Sequence, residues 1–158
     1  MSKVLIAYFS EGGITGLMAQ YIGEGIRIKG HEAVTREVGK PGANDDLALF
    51  AGFIFGSPTY SLDAPGEMKD FLASLDKDLL KGKPGGAFGS YTHDVSYEHE
   101  NLAPAIILDL LESYGMKRFE LGSLILRENM VESTEGMRAC QQYGEEFARK
   151  LPGVGRSS

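Results

Sequence analysis

Lys3-Val4-Leu5-Ile6-Ala7-Tyr8-Phe9-Ser10-Glu11-Gly12-Gly13-Ile14-Thr15 is the stretch whose reading decides the fold. Six consecutive apolar residues, Val4 to Phe9, predict a strand buried on both faces, as in the middle of a parallel sheet. A loop with two hydroxyls, Ser10 and Thr15, around Gly12-Gly13 breaks the run, and Ile14, Leu17, Met18, Tyr21 and Ile22 follow at helical spacing. Strand, glycine turn and helix N-terminus together make an anion-holding geometry, because the first-turn amides lack intrahelical partners and the positive end of the helix dipole faces the loop. No Lys or Arg lies between Ser10 and Thr15. A purely steric glycine turn fits the same residues, so the loop alone leaves both readings open.

The chain has 158 residues, 42% hydrophobic and 24% charged, enough for one globular domain with a sizeable core. Residues 1–151 are expected to form that domain and 152–158 a disordered tail. A net charge of −6 and a pI near 5.1 argue against nucleic acid or an anionic membrane surface and for basic protein partners or simple solubility. One cysteine, Cys140, excludes an internal disulfide, and the chain opens on no signal-like segment, which together point to the cytoplasm. No apolar run approaches the ~20 residues that cross a bilayer.

Further along, strands and helices alternate. Glu32 to Val38 reads as an edge strand with Val34 and Val38 on one face, and Phe53 to Gly56 as a core strand. A helix then carries Met68, Phe71, Leu72 and Leu75, with Asp63 placed to cap it and Pro65 in its first turn. Gly85 to Tyr91 is a strand rich in glycine, which suggests close approach of another backbone or of a ligand. Asn101 is placed to cap a helix burying Ala103, Ile106, Ile107, Leu110, Leu111 and Tyr114, and a fifth strand lies within Arg118 to Leu126. The last helix, about Ser133 to Leu151, turns Met137, Cys140, Gly144, Ala148 and Leu151 inward. Five alternating strands make an α/β three-layer doubly wound fold, whose ligands bind beyond the carboxyl ends of the strands where strand order reverses. The loops after the first, third and fourth strands leave those ends.

Gly56-Ser57-Pro58-Thr59-Tyr60, followed by Met68-Lys69-Asp70-Phe71-Leu72, resembles the second flavin loop of the flavodoxin-like FMN protein family and the helix behind it. The first loop is similar to that family's phosphate loop, T/S-x-T-G-x-T: Ser10, Gly13 and Thr15 match, Gly12 replaces a hydroxyl residue, and Ile14 stands where Asn is frequent. The resemblance covers residues 3 to 151 and implies a five-stranded parallel sheet in the order 2-1-3-4-5, with FMN as cofactor. At Gly12 the phosphate loses a hydroxyl donor, a difference of about tenfold or more in affinity at ~1.5–3 kcal/mol per charge-assisted bond, unless the freer glycine backbone compensates.

The site residues implied are Ser10, Glu11, Gly12, Gly13, Ile14 and Thr15 on the first loop, and Pro58, Thr59, Tyr60 and Ser61 on the second. Ser90, Tyr91, Thr92, Asp94 and Tyr97 supply the third. Tyr60 and Tyr97, with Tyr91 in reserve, are the ring-flanking aromatics by resemblance. Ser61 stands where relatives often have a flipping glycine, and from this we expect weak stabilisation of the one-electron-reduced flavin.

The spacing of His93, Asp94, Glu98, His99 and Glu100 fits no metal-ligand pattern, and no metal is expected. Neither G-x-G-x-x-G nor G-x-x-x-x-G-K-[ST] occurs. The leading function is therefore an FMN-bearing electron carrier, rather than an enzyme, acting as monomer or dimer. It would serve basic redox proteins or small electron acceptors through an acidic rim of Glu11, Asp63, Glu67, Asp94 and Glu98. The alternatives are an NAD(P)H-dependent FMN or quinone reductase on the same fold and a binding module that has lost FMN.

Overall fold

Val4, Leu5, Ile6 and Ala7 are each no more than 1% exposed, as a central strand with helices on both sides requires. The computed structural model describes residues 1–10, 12–59, 65–92 and 103–152. Strands β1 (Lys3–Tyr8), β2 (Glu32–Glu37), β3 (Gly52–Gly56), β4 (Pro84–Tyr91) and β5 (Lys117–Arg127) form one sheet in the order β2-β1-β3-β4-β5. All four neighbouring pairs run parallel, which is the expected fold class and strand order.

Alternate residues of each strand feed two cores. Val4, Ile6, Ile54, Phe88 and Phe119 face α1 (Ile14–Ile28) and α6 (Thr134–Ala148). Leu5, Ala7, Phe53, Phe55 and Ala87 face α2 (Gly66–Ser74), the short α3 (Lys77–Leu80) and α4 (Ala103–Ser113). A single turn, α5 (Glu128–Val131), precedes α6. Helices α1 and α6 touch backbone to backbone: a Cβ on Gly25 would stand 2.0 Å from the Gln141 carbonyl oxygen, and one on Gly144 would stand 2.1 Å from that of Ile22. Cys140 lies buried in this contact, and burial pushes its thiol up to about 12, so it serves as a small hydrophobe. No helix among the described residues is long and apolar enough to cross a membrane.

Several local expectations change. In α6, Met137 is only half-buried, while Tyr143 and Phe147 are buried against Phe119 and the glycines of the sheet. Helical spacing extends the buried stripe to these larger side chains. In α4, Leu108 joins Ile107 and Leu111 in the core, and Ile106 and Leu110 lie at its margin. Pro65 is the N-cap of α2 rather than a first-turn residue, its extended ψ of 147° marking the entry. Asp63, Asn101 and the tail 153–158 lie outside the described residues.

The glycines of β4 are explained by protein neighbours. A Cβ on Gly89 would stand 2.0 Å from the Ser57 carbonyl oxygen, so the crowding there comes from backbone. Register also jumps in this strand: Gly85 pairs with Arg118 but Ala87 with Ser123, so Glu120, Leu121 and Gly122 are displaced from the ladder. The buried Tyr143 hydroxyl fills the gap, accepting from the Ala87 N–H at 3.1 Å and lying 2.7 Å from the Gly122 carbonyl, to which it donates.

Candidate functional site

The β1–α1 loop begins on a fixed post. The Phe9 amide donates to the Gly56 carbonyl at 2.9 Å and ties the chain to β3 across the point where strand order reverses. Gly12 and Gly13 then adopt φ of 81° and 89°, the left-handed region that favours glycine. A Cβ on either would meet nothing within 4 Å, so backbone conformation selects glycine here and the space over the turn is open. Gly13 is the N-cap of α1 with no side chain capping the helix, and no carboxylate stands in the first turn to offset its dipole.

Within this turn the Ser10 Oγ has less than 1 Å² accessible and no hydrogen-bond partner among the described residues. An unsatisfied buried hydroxyl is costly unless something accepts from it or donates to it. Thr15 is 2% exposed, in the first turn of the same helix. Ile14 packs its side chain against the α1–α6 core, so only its amide faces the turn's chemistry. The structure therefore brings Ser10, Gly12, Gly13, Ile14 and Thr15 together; Glu11 lies outside the described residues.

The second and third loops are bound to each other. Ser57, fully buried, donates its amide to the Phe88 carbonyl at 3.0 Å, and its hydroxyl to the Pro58 carbonyl at 2.9 Å. Thr59 donates its amide to the Ser90 carbonyl at 3.2 Å, while its Oγ1 accepts from the Ala103 amide at 3.0 Å. The Thr59 hydroxyl is thus engaged at the start of α4, and Ser57 and Thr59 meet Phe88 and Ser90 along the seam between the loops, with Pro58 between them. Thr92 is exposed at the strand end, and Tyr91 carries the Arg127 guanidinium 5.7 Å from its ring centroid. Tyr60, Ser61, Asp94 and Tyr97 lie outside the described residues, as do His93, His99 and the rim carboxylates Asp63 and Glu98. Glu67 is exposed in the first turn of α2.

Three site residues were missed in the sequence. Arg127 reaches the third loop only through the β4–β5 register, Tyr91 with Arg127. Tyr8 and Glu37 end neighbouring strands as register partners. Burial and the nearby Glu37 carboxylate push the Tyr8 phenol above its usual range. No local pattern announces such pairs.

Residues 41–100 match the family model of NADPH-dependent FMN reductase. The chain is 35% identical over 139 residues to an NAD(P)H dehydrogenase (quinone) of Rhodopseudomonas palustris, a match covering 73% of this chain and 69% of that protein. It is 30% identical over 155 residues to putative diflavin flavoprotein A 4 of Synechocystis, covering 94% of this chain but 24% of the relative. This chain therefore spans about a quarter of the length of the diflavin flavoproteins it matches. The crystal structure of oxidised Flavodoxin 2 from Bacillus cereus matches with a TM-score of 0.79 at 29% identity, covering 95% of this chain and 100% of that one. With sequence kinship across most of a quinone dehydrogenase and a flavodoxin matched from end to end, this chain belongs to the flavodoxin-like FMN-binding protein family.

Proposed function

We propose that the protein binds FMN with its phosphate on the Ser10–Thr15 loop and transfers electrons between redox partners. The observation that carries this reading is the buried Ser10 Oγ, without a hydrogen-bond partner among the described residues, beside an uncapped helix N-terminus with open space above Gly12 and Gly13. A phosphate fits that donor set: Ser10 donates its hydroxyl, the glycine turn orients the amides, Ile14 contributes its amide, and Thr15 adds a second hydroxyl. The positive helix end offsets the phosphate charge without a Lys or Arg in the loop.

FMN, when bound, supplies the acceptance and release of electrons. Thr59 and Ser90 hold the second loop against the third, and we assign Pro58, Tyr60, Ser61, Tyr91, Thr92, Asp94 and Tyr97 to the flavin ring and its edge. Glu11 joins the phosphate loop. Residues 1–151 act as one unit in the cytoplasm, and the net charge of −6 selects basic redox partners.

A second reading, reduction of a quinone by NAD(P)H, is favoured by the match of residues 41–100 to a reductase model and by the cationic Arg127 beside Tyr91. NADH or NADPH oxidation by FMN-loaded protein, dependent on added quinone, distinguishes it from a carrier.

The binding test is titration of apoprotein with FMN and with riboflavin, followed by flavin fluorescence. FMN should bind at least about tenfold more tightly, since only FMN carries the phosphate, at ~1.4 kcal/mol per tenfold. Thr15→Ala should weaken FMN far more than riboflavin. Equal affinity for the two flavins would refute the phosphate assignment, and no binding of either would leave the lost-cofactor module.

A further inference from the structure

On the side of the Ser10–Gly13 turn facing away from β3, a pocket of about 380 Å³ opens between the start of α1 and the carboxyl ends of β1 and β2. Small-molecule sites usually run to about 300–1,000 Å³. Tyr8, Ser10, Gly13, Leu17, Gln20 and Glu37 line it. Strand alternation explains the gathering: Tyr8 follows Ile6 and Glu37 follows Ala33 on the α1 face of the sheet, and Tyr8 and Glu37 are paired across the ladder.

The Tyr8 ring lies against the first turn of α1, its Cε2 3.2 Å from where a Gly16 Cβ would stand. Glu37 is half-buried and forms no ion pair among the described residues. The unpaired Ser10 Oγ stands where this pocket meets the phosphate loop. An aromatic wall, a free carboxylate and an amide therefore converge immediately beside a cradle for phosphate.

A carboxylate at the end of the second strand, facing a glycine turn between the first strand and its helix, accepts from ribose hydroxyls in dinucleotide-binding folds. It disfavours a 2′-phosphate on that ribose. Resting on the phosphate reading of the loop, we propose that this pocket receives the adenosine half of flavin adenine dinucleotide. The Glu37 carboxylate accepts from the ribose diol, Gln20 hydrogen-bonds beside it, and the Tyr8 ring packs on the nucleoside. The protein accordingly takes FAD as well as FMN.

The test is titration of apoprotein with FMN and FAD, for the parent and for Glu37→Gln, reading flavin fluorescence and visible absorbance. FAD should bind the parent at least as tightly as FMN. Glu37→Gln should weaken FAD about tenfold, the loss of a hydrogen bond to a charged acceptor, while FMN changes less than about threefold. Gln20→Ala, at an exposed helical position, should shift the same ratio in the same direction and guards against a folding defect in the first variant. FMN binding with FAD at least about tenfold weaker, or a Glu37→Gln effect equal on both flavins, overturns the adenosine subsite and leaves the phosphate reading standing. Failure of both flavins overturns the two together.

Discussion

Ser10→Ala separates the demands of ligand binding from those of the fold, because the two predict opposite signs. The Ser10 Oγ is buried without a partner among the described residues. An unsatisfied buried polar group costs about 1–3 kcal/mol, so its removal should leave the apoprotein unchanged or stabilise it by about 1 kcal/mol, allowing for relaxation. For a chain of this length that is a rise in Tm of about 2–4 °C. FMN loses a charge-assisted bond worth about 1.5–3 kcal/mol, which weakens binding by about 10- to 150-fold. Stability added by ligand grows as RT ln(1 + [L]/Kd), so at a fixed excess of FMN the order of the two proteins should reverse. Urea unfolding followed by circular dichroism, with and without FMN, reads both effects on the same samples. Apoprotein destabilised by more than about 1 kcal/mol would mean that the hydroxyl serves the fold. FMN affinity altered by less than about threefold would mean that it does not touch the phosphate.

Tyr143→Phe should cost about 2–3 kcal/mol in urea unfolding, because the Ala87 N–H and Gly122 carbonyl at the β4–β5 register jump lose the one hydroxyl that meets them; a cost under about 0.5 kcal/mol would refute that account. His31 is 3% exposed, its Nδ1 accepts from the Ser2 amide, and burial with the positive amino terminus holds its pKa below the usual 6.5. The unfolded chain then takes up a proton near pH 6.5 that the folded chain refuses. Stability should accordingly fall as pH drops below about 6.5, by at most ~1.4 kcal/mol per pH unit from this group, and level off below the folded pKa. His31→Gln should flatten that part of the curve, and an unchanged slope would show that His31 is not its source.

What the sequence made legible follows the range over which each feature is determined. Val4 to Ala7 and Phe53 to Phe55 are strands by composition alone, since both faces are apolar, and Gly12-Gly13 announces its turn because left-handed φ is a local requirement. The contact of Thr59 with α4 was not readable: its hydroxyl accepts from the Ala103 amide across the sheet end, far away in sequence. Tyr143 was hidden for a related reason, because the gap that its hydroxyl fills exists only once β5 slips against β4.

The edge strand β2 carries the point furthest. Val34, with Val38 just past the strand's end, revealed its α2-side face, where apolar residues mark burial, and both belong to the core. Its other face runs through Ala33 and Thr35 to Glu37, a polar progression that by itself reads as solvent exposure. Only the register with β1 puts the Glu37 carboxylate beside Tyr8 and the glycine turn. A charged residue on an edge strand is commonly a guard against edge-to-edge pairing. Here the side chain projects from the sheet face into the α1 pocket, so the free ladder edge is not its concern, and the carboxylate is available for chemistry instead.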